Sequence, residues 1–325
     1  MDLLGEVLLS LRIESNVGGI YCLADQWGLL VPALSADYAY AICCIDTPVW
    51  LLRPDCPPLV LNPGDSALLL QGNAFSLASD PTVECVNVFE YWEQRQLPIF
   101  KPGSRPTAPI AGLSLGEGAI RGQMLVLAFA IHEGSSNPLL RSLPSLIHLE
   151  GSAQGMFPWM KPLVDFLASE QHSTKPGYLA TASHLANLIL TSFIRAWVVT
   201  STPHGSGWLR GMTDQRIRRA LASVHNQPGE AWNTETLAKQ AGMSRFAFAR
   251  RFCHLVGQSP SDYLRNWRMH LAAERLLTGQ ESVARIAEGV GYQSERAFRE
   301  AFKQRFGQAP LQYAKSFSPS ISTDI

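Results

Sequence analysis

The sequence predicts an α+β chain with two domains: a β-rich N-terminal part followed by helices, and an all-α C-terminal part with two helix-turn-helix motifs. Three observations predict this class. First, 325 residues are enough for two hydrophobic cores. Second, β-prone runs separated by turn residues fill the chain from Val7 to Ile131. Third, one helical pattern is written twice between Leu237 and Tyr313.

Short strands dominate the N-terminal part. The clearest unit is residues 59–70, where Pro63-Gly64-Asp65 separates two apolar stretches and predicts strand, tight turn, strand. The strands follow one another closely, with no helical pattern between them, which indicates a small β-barrel or sandwich. Residues 94–119, rich in Pro and Gly, predict a long loop or an insertion.

The apolar pattern takes a helical period from Trp159 onward. One helix is predicted to carry an apolar stripe that either packs against the β-domain or forms a dimer interface, and the sequence leaves both open. Residues 200–211, with three glycines, predict an interdomain linker. The stripe consists of Leu185, Leu188, Ile189, Ser192, Phe193 and Trp197.

A duplicated pattern organises the C-terminal part. The first copy begins at Leu237 and the second at Ile286, and the second contains one inserted residue. Two copies are too few for a solenoid, so the duplication indicates a paired module. Matching residues include Ala238 with Ala287, Gly242 with Gly291, Phe248 with Phe298, Phe252 with Phe302, Pro260 with Pro310, and Tyr263 with Tyr313.

The first copy has the residue order of a helix-turn-helix. Asn233 is a good N-cap for a short helix over residues 234–241, and Gly242 can adopt the left-handed conformation of the turn. Ser244 then caps a second helix, which Gly257 ends. Its apolar face predicts burial against the first helix.

The second copy repeats this order, with Gly291 at the turn, Ser294 as the cap and Gly307 as the stop. Between the copies, Pro260 opens a long helix over residues 261–278. Proline at the first turn and glycine just past the end are typical of a helix with these bounds.

These residues resemble the signature of AraC/XylS-type transcription regulators, and the resemblance covers residues 213–315. It implies a DNA-binding domain with two helix-turn-helix motifs. The Pro63-Gly64-Asp65 unit resembles the cupin-type sensor domain of the same regulators, which implies a cupin-like β-barrel. The motifs are Gly291-Tyr292-Gln293-Ser294-Glu295-Arg296-Ala297-Phe298, Ala301-Phe302-Lys303, Phe306-Gly307-Gln308-Ala309-Pro310 and Tyr313, with Leu143-Pro144-Ser145-Leu146-Ile147-His148-Leu149 and Gly207-Trp208-Leu209 for the sensor branch.

The expected organisation has four parts. They are a cupin-like effector-sensing domain (residues 1–150), a helical dimerisation or linker region (151–209), an AraC-type DNA-binding domain (210–316) with motifs at about 234–256 and 283–306, and a flexible tail (317–325).

The second helix of each motif is predicted to enter the major groove of double-stranded DNA. Arginine can bond guanine through two hydrogen bonds, phenylalanine can touch a thymine methyl group, and glutamate can accept from cytosine or instead support a neighbouring arginine. Arg251, Lys303 and Arg305 are better placed for phosphates. The predicted contacts are Ser244, Arg245, Phe246, Ala249, Arg250 and Arg251 in the first copy, and Gln293, Ser294, Glu295, Arg296, Arg299, Glu300 and Lys303 in the second.

The charges are distributed unevenly although the net charge is zero. Residues 1–209 hold 10 Lys and Arg against 17 Asp and Glu, whereas residues 210–325 hold 17 against 10. A basic domain on an acidic body suits a polyanion-binding module. The acidic first residues do not resemble a secretion signal, and Arg195 interrupts the most apolar stretch, so we expect a cytoplasmic protein without a membrane segment.

The sensing part lacks the His-x-His pair with which enzymatic cupins hold a metal, so neither a metal nor a cofactor is expected. One alternative function is a cupin-type enzyme of small molecules fused to a DNA-binding domain. Another is a regulator without an effector, controlled only by its abundance. Cysteines without paired spacing indicate reduced thiols. Most such thiols are inert, but Cys22 is the candidate for a redox switch. The regulator resemblance further implies a homodimer, an unidentified small-molecule effector and RNA polymerase as a partner.

Overall fold

The computed structural model describes residues 3–9, 11–97, 113–132, 137, 139–151, 162–163, 165–167, 176–201 and 207–317. The chain packs into two compact units. A β-rich unit contains residues from Ile13–Ser135 and Pro144–Thr200. A helical unit contains residues from Ser201–Ile325 together with residues from Met1–Arg12 and Ser136–Leu143. The predicted α+β class, with a sheet-rich first part and a helical second part, is confirmed.

Two sheets form the β-rich unit. The six-stranded sheet has the order β11-β6-β3-β10-β1-β9, and the five-stranded sheet has the order β5-β4-β7-β2-β8. The strands are β1 (Arg12–Asp25), β2 (Gly28–Val31), β3 (Tyr38–Cys44), β4 (Val49–Leu52), β5 (Leu59–Leu61), β6 (Ser66–Leu69), β7 (Phe75–Ala78), β8 (Val86–Asn87), β9 (Leu113–Leu115), β10 (Glu117–His132) and β11 (Leu146–Leu149).

One hydrophobic core draws residues from both sheets. Alternate residues of each strand point to the same face, and this period appears in β2, where Leu29 and Val31 are buried, and in β4, where Val49 and Leu51 are buried. Met124 of β10 joins the same core. The two sheets therefore enclose a common interior, as the strand spacing predicted.

The predicted unit at residues 59–70 differs from a simple hairpin. β5 pairs with β4 in one sheet, whereas β6 pairs with β3 in the other, so the turn carries the chain between sheets. Asp65 stabilises this crossing by accepting from the Asn62 N–H at 2.9 Å and the Gly151 N–H at 2.6 Å. Burial alone would raise the pKa of Asp65, but these bonds and His148 lower it below its ordinary value.

Among its described residues, the β-rich unit includes the helices α2 (Val88–Gln94) and α3 (Tyr178–Ser201). By length and composition alone, residues 178–199 of α3 could cross a membrane, but half of this apolar window is buried inside the protein. Ile189 and Phe193 are fully buried. The predicted apolar stripe thus contributes to the core, while Leu188 on the same helix is 44% exposed.

The helical unit is built from short helices around two aromatic clusters. The helix predicted over residues 261–278 spans Pro260–Thr278. Ser259, the residue just before the proline, is its N-cap. The helices are α1 (Leu3–Leu9), α4 (Gly207–Thr213), α5 (Gln215–Asn226), α6 (Thr234–Gln240), α7 (Arg245–Val256), α8 (Pro260–Thr278), α9 (Val283–Gly289), α10 (Glu295–Phe306) and α11 (Pro310–Phe317).

The predicted linker at residues 200–211 is helical at both ends. Ser201 closes α3, and residues from Gly207 onward form α4, in which Trp208 and Leu209 are buried in the helical unit. The glycine content suggested flexibility, but burial of two large apolar side chains stabilises a helix there. Residues 202–206, most of the predicted loop at 94–119 and the tail residues 318–325 lie outside the described residues.

Candidate nucleic-acid interface

The first helix-turn-helix consists of α6 and α7. Asn233 caps α6 by accepting from the backbone N–H groups of Glu235 and Thr236, both at 2.9 Å. Gly242 then has a φ of +63°, which glycine adopts without steric cost. Ser244 caps α7 by accepting from the Ala247 N–H at 3.4 Å. These local signals explain why the sequence predicted the motif so closely.

The second helix-turn-helix consists of α9 and α10 and repeats this geometry. Gly291 has a φ of +82° at the turn, and Ser294 accepts from the Ala297 N–H at 3.1 Å. In both motifs, buried phenylalanines form one face of the second helix. Their burial determines which residues of that helix face outward. The buried phenylalanines are Phe248 and Phe252 in α7, and Phe298 and Phe302 in α10.

The aromatic cores of the two motifs have nearly the same ring separations and angles. The Phe248 and Phe252 rings lie 5.5 Å apart, and Phe252 meets Tyr263 at 5.7 Å with the rings at 72°. In the second motif, the corresponding separations are 5.6 Å and 5.4 Å, with the last pair at 82°. This agreement supports the internal duplication predicted from the sequence.

The outward face of α7 carries exposed cationic and aromatic side chains. Arg245 and Arg250 are exposed, and the Phe246 ring is 77% exposed, whereas Ala249 is half-buried. Among the described residues, none forms a hydrogen bond or ion pair with the Arg250 guanidinium. An exposed arginine and aromatic ring at the start of a second helix are suited to reach base edges.

Arg251 of α7 has a partner inside the protein. Its Nε donates to Asp214 Oδ2 at 2.7 Å, and the Asp214 Oδ1 atom caps α5 by accepting from the Arg216 and Ile217 N–H groups, both at 3.0 Å. Burial alone would raise the pKa of Asp214, but the Ile217 N–H and Arg251 lower it below its ordinary value. Arg251, a predicted phosphate contact, is therefore already paired with a carboxylate of the protein.

The outward face of α10 combines cations with acids. Arg299 Nε donates to Glu295 Oε1 at 2.7 Å, and Arg296 Nε donates to Glu300 Oε1 at 3.1 Å. The surface of the second motif is thus partly neutralised by pairs within one helix. The remaining predicted residues, Gln293, Ser294 and Lys303, are exposed.

Arg268 of α8 contacts residues in or next to both motifs. Arg268 Nε donates to the Pro228 carbonyl at 2.7 Å, and its Nη2 donates to the Glu230 carbonyl at 2.6 Å, both just before the first motif. Its Nη1 lies 3.5 Å from the carbonyl of Gly291, at the turn of the second motif. Because these contacts link both motifs to one helix, Arg268 helps to fix their spacing.

A buried polar chain supports the first motif. Trp208 Nε1 donates to Tyr263 Oη at 2.7 Å, and this oxygen lies 2.6 Å from His225 Nε2. Burial, with a smaller contribution from the neighbouring His270, lowers the pKa of His225 to about 3, so the His225 ring is neutral at ordinary pH. His225 Nδ1 lies 3.7 Å from a carboxylate oxygen of Glu6 in α1.

Sequence reasoning predicted no supporting role for three residues, Asp214, His225 and Arg268, although Trp267-Arg268-Met269 also fits the regulator signature. Asp214 contacts Arg251, His225 contacts Tyr263 and Arg268 contacts Pro228 across 37 to 40 residues of chain, so no local spacing signals these contacts. Asp214 could have been found as an N-cap of α5, because aspartate is a preferred residue at that position.

The β-rich unit places the predicted redox residue on β1. Cys22 is half-buried, and its Sγ lies 3.7 Å from Gln123 Nε2. Cys43 and Cys44 are buried on β3, and burial raises the pKa of these thiols to about 11 and about 12. No cluster of three or more His, Cys, Asp or Glu side chains suited to a metal occurs in the part of the chain that the structure describes.

Residues 2–199 match the Cupin family, and residues 237–316 match the Helix-turn-helix domain family. The chain is 31% identical to the HTH-type transcriptional regulator AlkR of Acinetobacter baylyi, over 77% of this chain and 79% of that one. It is 29% identical to a putative AraC-like transcription regulator of Streptomyces lividans, over 97% and 98% of the two chains.

Among solved structures, this chain is similar to the DNA-binding domain of AdpA in complex with a target DNA. The identity is 33%, over 32% of this chain and 93% of that one, with a TM-score of 0.30. A match with 12% identity to ToxT of Vibrio cholerae covers 94% and 98% of the two chains, with a TM-score of 0.36. On the family and sequence matches, this chain belongs to the AraC/XylS family of DNA-binding transcriptional regulators, with an N-terminal cupin-type domain.

Proposed function

We propose that the chain reads a specific DNA sequence with α7 and α10 in two successive major grooves. The observation that carries this proposal is the duplicated motif, in which buried phenylalanines turn an arginine-bearing face of each second helix outward. Successive major grooves on one face of DNA lie about 34 Å apart. One protomer would therefore cover roughly two helical turns.

The proposed base-reading arginines are Arg250 in α7, and Arg296 and Arg299 in α10. Bidentate bonding of arginine to guanine is the commonest specific contact in the major groove. Arg245 and Phe246 lie at the start of α7, where they can reach base edges or a thymine methyl group. Lys303 at the flank of α10 is suited to a phosphate, and Arg251 would have to exchange Asp214 for one.

The experiment is selection of bound DNA from a random pool with the full chain, followed by affinity measurements on the selected site. Arg250→Ala should cost about 1–3 kcal/mol on that site and relax one base position. The matched control is Lys239→Ala, because Lys239 is an exposed cation of α6 that lies in an ion pair with Glu235. An equal loss by Arg250→Ala on all sequences would instead identify a phosphate contact.

We also propose a homodimer formed through the outward face of α3. Leu188 is 44% exposed and Val199 is 60% exposed, and eleven residues apart they lie on one face of a helix. A C2 interface would bring these side chains together from two copies. Leu188→Glu should then shift the chain toward monomer in analytical ultracentrifugation, with Ile120→Glu, at an exposed apolar position on β10, as the control.

The proposed role of the β-rich unit is to sense a small molecule or a redox signal in the cytoplasm and to bias DNA binding, with RNA polymerase as the downstream partner. An effector can act only if it binds two states with different affinity. One relative is named an RCS-specific transcriptional activator, RclR of Escherichia coli, 31% identical over 55% of this chain. Cys22→Ser should abolish an oxidant-dependent change in DNA affinity if Cys22 is the switch, whereas Cys56→Ser, at an exposed thiol, should not.

A further inference from the structure

We infer that Glu295 is a positioning residue that orients the Arg299 guanidinium for base recognition, an inference that rests on the proposed DNA-reading role of α10. Arg299 Nε donates to Glu295 Oε1 at 2.7 Å, and Arg299 Nη2 lies 2.5 Å from the same oxygen. The two side chains are only 41% and 40% exposed. The arginine is therefore held on one side before any DNA arrives.

The geometry of the guanidinium decides what this contact does. A planar guanidinium has two edges that can each donate two parallel hydrogen bonds. Glu295 takes the edge formed by Nε and Nη2. Among the described residues, no acceptor bonds the end-on edge formed by Nη1 and Nη2, and that edge matches the O6 and N7 acceptors of guanine. The Glu295 carboxylate thus orients the Arg299 guanidinium and leaves its end-on edge available for a base.

The backbone makes this arrangement rigid. Glu295 is the first residue of α10, where the helix dipole stabilises a carboxylate, and a glutamate four residues before an arginine is the favourable order for a pair. Ser294 caps the same turn. A side chain that is already ordered loses less conformational entropy on binding, so the pair favours a specific contact.

The other pair of α10 provides a contrast within the same helix. Arg296 and Glu300 are 89% and 68% exposed and share one hydrogen bond of 3.1 Å from Nε. Exposed pairs of this kind contribute little and exchange readily with solvent or phosphate. The matched control lies outside the second helices, where Glu235 of α6 forms an exposed pair of the same i,i+4 spacing with Lys239.

The test compares dissociation constants of the full-length chain for its selected site and for the same site with each base pair replaced. We expect Glu295→Ala to reduce discrimination at one base pair by about 3- to 10-fold, a part of the roughly 5- to 150-fold that one bidentate contact supplies. Arg299→Ala should abolish discrimination at that same base pair. Adding Glu295→Ala to Arg299→Ala should change nothing further, because the carboxylate acts through the arginine.

Glu235→Ala should leave discrimination unchanged at every base pair, since it breaks an exposed pair of the same spacing on a helix that is not proposed to read bases. Glu295→Gln, which keeps an acceptor oxygen, should restore part of the discrimination lost in Glu295→Ala. The inference is overturned if Glu295→Ala leaves discrimination unchanged in a chain that selects DNA, or if its effect persists without Arg299. A wild-type chain that prefers no sequence would overturn the proposed function itself, and this inference with it.

Discussion

The two helix-turn-helix motifs share one core and carry different surfaces. Both bury two phenylalanines and a tyrosine in nearly the same ring geometry. Outside that core, α7 has three arginines and no acid, whereas α10 has four cations and two glutamates. Both glutamates of α10 hold an arginine of the same helix.

The difference follows from what each region must satisfy. A close-packed interior accepts few changes in volume, so duplicated cores stay alike. An exposed helix face is under no such constraint and can diverge with the DNA it reads. Unpaired cations favour affinity for any phosphate backbone, while held cations favour discrimination between bases. We therefore expect the held arginines of the second motif to contribute selectivity, and the cations without a carboxylate partner in both motifs to contribute salt-dependent affinity.

The largest expected effect tests whether the cores are equivalent. Phe252→Ala and Phe302→Ala should each lower the free energy of unfolding by about 3–5 kcal/mol, because both rings are almost completely buried. Urea unfolding of the full chain, followed by circular dichroism, measures the loss. The control Phe246→Ala, at an exposed ring, should stay within about 0.5 kcal/mol. A loss in only one of the two core variants would show that the motifs do not fold as equivalent units.

The second prediction concerns the stability of the first motif in acid. His225, beside the core of the first motif, has a pKa lowered to about 3 in the folded chain against an ordinary value of 6.5. Above pH 6.5 the ring is neutral in both states and stability is unaffected. As the pH falls below 6.5, only the unfolded chain binds the proton, so stability should decline by roughly 3 kcal/mol at pH 4.

The measurement is urea unfolding at pH 7, 5.5 and 4 for the wild-type chain and His225→Gln. His225→Gln loses the imidazole contact with Tyr263 at every pH. Its stability should therefore decline less in acid, because it lacks the part of the decline that comes from His225. His270→Gln controls for the neighbouring ring, which contributes to the shift. Parallel pH curves for the wild type and His225→Gln would contradict the assignment.

Most of the helical unit was predictable because its signals are local. Caps such as Ser244, stops such as Gly257 and the period of the phenylalanines each act within one or two turns. The contacts of Arg268 with Pro228 and Glu230 and the Arg251–Asp214 pair span 37 to 40 residues, where sequence spacing carries no signal. Likewise, residues 59–70 show two strands and a turn, but strand pairing between different sheets depends on distant partners.

The third effect concerns the turns. Both Gly242 and Gly291 have positive φ, so alanine should cost about 1–2 kcal/mol at either site from backbone strain. A Cβ at Gly291 would also lie 2.6 Å from the Gly229 carbonyl oxygen and 2.5 Å from Arg268 Nη2, whereas a Cβ at Gly242 meets nothing within 4 Å. Gly291→Ala should therefore cost roughly 1–3 kcal/mol more than Gly242→Ala. Equal unfolding midpoints for the two variants would argue against a tight junction at the second turn.

The smallest effect would make the surface of the first motif more cationic. Asp214→Asn keeps an N-cap for α5 but removes the charge that holds Arg251, so stability should fall by only about 0.5–1 kcal/mol. The released Arg251 can then bind a phosphate, and the slope of log affinity against log salt should steepen by about one. Because a phosphate contact reads no base, discrimination should stay unchanged. The double variant Asp214→Asn/Arg251→Ala should return the slope to the wild-type value or below, and a slope that stays steep would show that the added affinity comes from removing the Asp214 charge alone.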